Sequence, residues 1–122
     1  MEESKDFLSI KSWAEEDRPR EKLLLKGKSS LSDAELIAIL LRTGVKGSSA
    51  LDIAKKILHR VNGDLNELGK LSVSELKQME KGLGDTKSIT IAAALELGRR
   101  RQASVIREKH TIRTRPDYFE YL

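Results

Sequence analysis

The chain has 122 residues, of which 39% are hydrophobic and 4% aromatic, and its formal net charge is +4. This length suits one domain with tails, and the lack of cysteine excludes a disulfide scaffold, a thiolate zinc site and a cysteine nucleophile. No segment is long and apolar enough to span a membrane, and the N-terminus lacks the pattern of a signal peptide. We therefore expect a cytoplasmic protein with no membrane partner.

The first predicted elements are a flexible lead over residues 1–12 and a helix that begins near Pro19. Proline suits the first position of a helix because its missing N–H has no partner there. Gly27 is expected to end this helix.

The next helix is predicted from a capping box, in which the side chains of Ser32 and Glu35 bond each other's backbone N–H. An apolar stripe wide enough for a buried face follows; it consists of Leu36, Ile37, Leu40 and Leu41. Gly44 is expected to end this helix.

A third helix is predicted to start at a cap formed by either Ser48 or Ser49 and to end at Asn62-Gly63. A single short turn is expected over residues 64–68.

Two further helices are predicted over residues 73–81 and 86–102. A second capping box, Ser72 with Glu75, starts the first of them, and Asp85 is expected to cap the second. The predicted apolar surface of the last helix consists of Ile89, Ala92, Ala93 and Leu95.

Two glycine turns connect pairs of these helices. Gly82-Leu83-Gly84 joins the last two, and Gly44-Val45-Lys46-Gly47 forms a similar turn 38 residues earlier. The spacing indicates either a duplicated helix-hairpin-helix unit or a coincidence of composition. Valine at Gly82 or Gly84 is expected to destabilise the domain, because β-branched residues resist a positive φ.

The sequence therefore predicts an all-α fold. It is a compact bundle of about five helices and a short one, built from two helix-hairpin-helix-like units and followed by an extended C-terminal tail. The β-branched residues Val105-Ile106 and the segment 110–113 favour the extended tail. We place the domain at 13–103 and assign 104–122 to a linker and the start of a further domain.

A glycine turn that opens a helix exposes backbone N–H groups to which a phosphate can bind, but it is also simply a compact way to turn. On the first alternative the candidate nucleic-acid-binding residues are Lys81, Gly82, Leu83, Gly84, Thr86, Lys87, Arg99 and Arg100, with Gly44, Val45, Lys46 and Gly47 at the second hairpin. As an N-cap, Asp85 would occupy the same donors and repel a phosphate.

Positive charge is concentrated toward the C-terminal end of the chain. Residues 99–115 hold seven basic side chains and one acidic one, so the rest of the chain is slightly acidic. Such a run either neutralises phosphates or keeps a linker solvated.

Candidates for catalysis or metal binding are few. His59 lies near the C-terminal end of a helix, where a histidine interacts favourably with the helix dipole. His110 lies in the basic tail, and no carboxylates stand near it at the spacing of metal ligands. Trp13 is expected to anchor on the core or to dock a partner. We expect this part of the chain to have no enzymatic activity and to bind no metal, no cofactor and no small-molecule substrate.

Three blocks, residues 17–23, 31–44 and 93–100, resemble the N-terminal region of the RadC family of bacterial proteins, labelled DNA repair proteins. The resemblance implies a helix-hairpin-helix domain that precedes a C-terminal JAB/MPN domain, a metalloprotease-like fold whose metal site lies beyond Leu122. The label implies DNA as a partner. The chain departs from the usual hairpin pattern at Glu80, where a hydrophobic residue is common, and at Asp85, where proline is common.

Two functions of different classes remain open. The first is a DNA-binding module that binds the DNA backbone weakly, through few contacts and without reading its sequence. The second is a helical interaction or regulatory module that positions the missing domain. Salt separates them, because backbone binding weakens steeply with salt and an apolar contact does not. The sequence does not fix the oligomeric state.

Overall fold

A computed structural model describes residues 18–114, with side chains through residue 109. The predicted lead over 1–12, Trp13 and the segment 115–122 lie outside the described residues. The all-α prediction is confirmed. The elements are α1 (residues 18–26), a 3-10 turn (Lys28–Ser30), α2 (Asp33–Leu41), α3 (Ala50–Arg60), α4 (Leu65–Gly69), α5 (Val73–Met79) and α6 (Asp85–Thr114). No helix in the described part could cross a membrane.

Reciprocal capping boxes start three of these helices. Each cap serine accepts from the backbone N–H three residues on, and the acidic side chain there accepts from the serine's own N–H; the pairs are Ser32–Glu35, Ser49–Asp52 and Ser72–Glu75. The backbone hydrogen bond from the serine lowers the pKa of Glu35 and Glu75. Both predicted boxes are confirmed, and Ser49 rather than Ser48 caps α3.

The core lies among α2, α3, α4, α5 and the first half of α6. The buried side chains in it are Ile37, Ala38, Leu41, Ala50, Ile53, Ala54, Ile57, Leu68, Leu76, Leu83 and Ile91. Leu36, which was predicted to be part of the buried stripe, is 38% exposed, and Ala38 takes a buried position instead. The small Ala38 permits close packing of α2, which the hydrophobic pattern alone does not encode.

The register of α6 differs from the prediction in the same way. Ile89 and Ala93 face outward, and Ser88 and Ile91 are fully buried. The Ser88 hydroxyl finds no hydrogen-bond partner among the described residues. A small side chain at this position lets α6 approach its neighbours closely, so steric fit outweighs hydrophobicity there.

Two helix ends also differ. α2 ends at Leu41 rather than at Gly44, and Arg42 takes a positive φ of 69° immediately after it. Asp85 is the first residue of α6 rather than its cap. Gly84 is the N-cap, because its carbonyl oxygen accepts the first helical bond, from Ser88 N at 3.1 Å.

The C-terminal tail is helical, and the prediction of an extended segment after Arg101 is wrong. α6 continues to Thr114, so the predicted boundary at 103/104 falls inside one helix. Six of the thirteen residues from Gln102 to Thr114 are arginine, alanine, glutamine, glutamate or lysine, which favour helix. Extending an existing helix is also far cheaper than nucleating one, so Val105 and Ile106 do not break it.

The glycines differ in what they tolerate, which gives a stability prediction. A Cβ at Gly44 would overlap the backbone carbonyl oxygen of Ser48 and lie 2.7 Å from Ser49 backbone atoms, whereas a Cβ at Gly98 meets open space. We expect Gly44→Ala to reduce the free energy of unfolding by about 1–3 kcal/mol. Gly98→Ala, in the middle of α6, should raise helix stability by up to about 1 kcal/mol. Urea unfolding of both variants measures this, and equal stabilities would contradict the turn geometry.

Ser88 gives a second stability prediction. Because its buried hydroxyl lacks a partner among the described residues, Ser88→Ala removes an unsatisfied group without adding volume, and we expect a gain of about 1 kcal/mol. Ser88→Leu overfills the same space and should lower stability by about 1–3 kcal/mol. Equal melting temperatures for the leucine and alanine variants in a thermal melt would show that Ser88 is not closely packed.

Candidate nucleic-acid interface

The two glycine turns lie against each other at one end of the molecule. The Val45 side chain stands 3.2 Å from the position that a Cβ on Gly82 would take. Across the same contact, Lys87 Nζ donates to the backbone oxygen of Thr43 at 2.6 Å and to its hydroxyl at 3.2 Å. We call residues 42–47 together with 81–87 the hairpin end. The structure thus brings both sequence-predicted hairpins into one surface.

The first turn is closed by two backbone hydrogen bonds between Val45 and Ser48, of 2.9 and 3.0 Å. Gly47 supplies a φ of 90° within it, a value that side chains rarely adopt. Gly44 has no room for a side chain. All three features make this turn rigid, with Lys46 exposed at its tip.

The second turn is held from both sides. Leu83 N donates to Glu80 O at 3.3 Å, and Gly82 takes a φ of 100°. Glu80, which stands where the hairpin pattern wants an apolar residue, accepts a 3.0 Å bond from Arg60 Nε of α3. Met79 packs on the core in its place. The unusual residue therefore ties the turn to α3.

Leu83 was predicted among the nucleic-acid-binding residues, and the structure places its side chain in the core, where it is 5% exposed. Its backbone N–H already serves the turn. Leu83 therefore anchors the hairpin from inside.

The start of α6 differs from the starts of α2 to α5. A side-chain oxygen caps each of those four helices, and the caps are Ser32, Ser49, Asp64 and Ser72. Gly84 offers no side chain to the free N–H groups of the first turn of α6. Asp85 Oδ1 is instead 2.6 Å from Lys77 Nζ of α5. Thr86, the next residue, is exposed. Gly84 has no positive φ and a Cβ there meets open space, so the strain expected for a side chain at Gly82 or Gly84 applies to Gly82 alone.

The cations of the hairpin end fall into two groups. Lys87 is engaged with Thr43, so it positions the turns. Arg42, Lys46 and Lys81 are exposed, and no ion pair or hydrogen bond joins their side chains to the described part of the chain. Of these, Arg42 is not among the residues predicted from the sequence. Its position two residues before Gly44 is the sequence feature that places it beside the first turn.

Arg99 and Arg100 lie elsewhere. Arg99 is twelve residues beyond Lys87, which is about 18 Å along α6. Glu96 accepts two bonds from Arg99, at 2.8 and 2.9 Å, and one from Arg100 at 2.8 Å. These hydrogen bonds lower the pKa of Glu96 to about 2. Within one chain, the structure does not bring the predicted arginines to the hairpins.

Other chemistry is sparse in the described part of the chain. His59 is exposed near the end of α3, which agrees with its predicted structural role. Among residues 18–109, whose side chains the structure describes, no group of three His, Asp or Glu is placed to hold a metal ion.

Comparison with known proteins places the chain in a family. The model of the domain described as UPF0758 N-terminal matches residues 10–89. A UPF0758 protein of Flavobacterium johnsoniae is 49% identical over 111 residues, covering 91% of this chain and 48% of the relative. A UPF0758 protein of Geobacillus thermodenitrificans is 43% identical over 113 residues, covering 93% and 49%.

The chain thus spans about half the length of these relatives. No solved structure matches it. The resemblance seen in the three sequence blocks is confirmed: the chain belongs to the UPF0758 family and corresponds to the N-terminal region of RadC-family proteins.

Proposed function

We propose that the hairpin end binds the sugar–phosphate backbone of DNA without reading its sequence. The observation that supports this most is the convergence of the two glycine turns, which puts the start of α6 and three exposed cations on one surface. Helix starts that lack a side-chain cap attract anions, because their N–H groups are unpaired and the helix dipole is positive there.

In this proposal the contacts divide by role. The first-turn N–H groups of α6 and the Thr86 hydroxyl donate to a phosphate oxygen. Arg42, Lys46 and Lys81 supply charge around it. Phosphate contacts of this kind position a protein on DNA but carry no sequence information.

Asp85 limits the affinity. Its carboxylate stands next to the proposed phosphate position and repels it, although Lys77 offsets part of that charge. With about three cationic contacts and one opposing carboxylate, we expect weak binding.

A second candidate function is a helical interaction module that positions the other half of the protein. The exposed apolar side chains on the outer face of α6, Ile89 and Leu97, favour it. The resemblance implies a metalloprotease-like domain after this region. Of the described helices, α6 is the one nearest to that domain in sequence. We assign no catalytic role to the described residues.

Salt dependence tests the primary proposal. With three cationic contacts, the logarithm of the binding constant for labelled duplex should fall with the logarithm of salt with a slope of about −3. Lys81→Gln should reduce the slope by about 1 for all sequences alike. Lys70→Gln serves as the matched control, since Lys70 lies outside the hairpin end, directly after α4, and pairs with Glu67. Duplex and branched DNA are titrated in parallel. A chain that is folded but does not bind at low salt leaves the interaction module as the better candidate.

Gly84→Ser tests the role of the bare helix start. A serine N-cap would accept from the N–H groups of the first turn and raise stability by a few tenths of a kcal/mol. The same bond removes the donors that the phosphate needs, so DNA affinity should fall by about threefold to tenfold. Melting temperature and affinity should therefore move in opposite directions. If the stabilised variant binds DNA as well as the parent, the α6 N–H groups take no part.

A further inference from the structure

The outer face of α6 carries a row of exposed side chains at intervals of four residues. We call it the α6 ridge, and its members are Asp85, Ile89, Ala93, Leu97 and Arg101. Residues spaced by four form one continuous ridge on a helix surface. Ile89 is 54% and Leu97 is 68% exposed, which is a large exposure for apolar side chains within a helix. The ridge therefore offers apolar surface that the described fold does not use.

The order of side-chain types along the α6 ridge is symmetric about its middle residue, with opposite charges at the two ends. From Ala93 outward, Ile89 on one side corresponds to Leu97 on the other, and the acidic Asp85 corresponds to the basic Arg101. A row with this order is complementary to an antiparallel copy of itself. A twofold interface requires this property, because residue i meets j and residue j meets i.

We propose that two chains dimerise by antiparallel pairing of their α6 ridges, with the two Ala93 residues at the twofold axis. The small alanine permits close approach of the two backbones, and Ile89 packs against Leu97 of the second copy. Ridges of this type run side by side when two helices cross at about −50°. The ridge is about 24 Å long, so both ends can take part.

The charges at the ends are available for this pairing. Arg101 forms no ion pair or hydrogen bond with the described residues, and Asp85 uses one carboxylate oxygen toward Lys77. The other oxygen of Asp85 can accept from Arg101 of the second copy. A nucleic acid on the ridge would instead set Ile89 and Leu97 against phosphates, and an unrelated helix would not account for the symmetric order.

A consequence follows that rests on the proposed function. Within one chain, about 18 Å separates the arginines from the hairpin end. Antiparallel pairing brings Arg101 and the adjacent Arg100 of one copy beside Asp85 and Thr86 of the other. The second copy thus contributes cations to each phosphate site and neutralises Asp85.

Sedimentation analysis of the 122-residue chain, without nucleic acid, tests the dimer. From micromolar to millimolar concentration the parent should shift from monomer to dimer. Asp85→Arg and Arg101→Asp each place like charges at both ends of the pair, and each should weaken dimerisation by about tenfold. An equimolar mixture of the two variants should associate like the parent, because one copy then has Arg at both ends and the other has Asp at both ends.

Arg107→Asp makes the same charge change on α6 away from the ridge and should leave dimerisation unaffected. Circular dichroism verifies the fold of each variant. Arg101→Asp carries the test even if Asp85→Arg disturbs the start of α6. A chain that stays monomeric throughout, or a mixture that associates no better than the single variants, overturns the proposal. Because nucleic acid is absent, this result does not depend on whether the hairpin end binds DNA.

Discussion

The contact between the two glycine turns is the constraint on which the rest of the structure depends. Val45 can pack against Gly82 only because that residue has no Cβ and takes a φ of 100°. The bond from Lys87 to the Thr43 oxygen then fixes the start of α6 against the end of α2. Without this contact, the two turns would not be held together as one surface.

Local signals made much of this fold predictable. The capping boxes at Ser32 and Ser72 connect residues only three apart, so the sequence contains the whole interaction. The need for glycine at position 82 is different, because it comes both from the local φ of 100° and from the side chain of Val45, 37 residues away. For the candidate site, the sequence located both glycine turns and Lys81, which is exposed. It could not show that Lys87 is engaged by Thr43 or that Arg42 lies beside the first turn.

α6 shows why a hydrophobicity pattern does not fix the register of every helix. It carries apolar residues on two faces, and a hydrophobicity pattern assigns the larger ones inward, as it did for Ile89. The buried position went to Ser88, since the space between packed helices admits only a small side chain there. The helix also continues past Val105 and Ile106 to Thr114, because the β preference of two residues is weaker than the cooperativity of a long helix.

The three sides of α6 can therefore serve three purposes at once. Its buried side holds the core, its bare start contributes to the hairpin end, and its ridge is free for a second copy. In the proposed function, a hairpin end with about three cations binds one backbone segment weakly. In the proposed dimer two such ends lie on one rigid pair of helices, so a second contact to the same nucleic acid becomes intramolecular. Linked contacts raise overall affinity far more than either alone, which lets weak individual sites support binding without sequence preference.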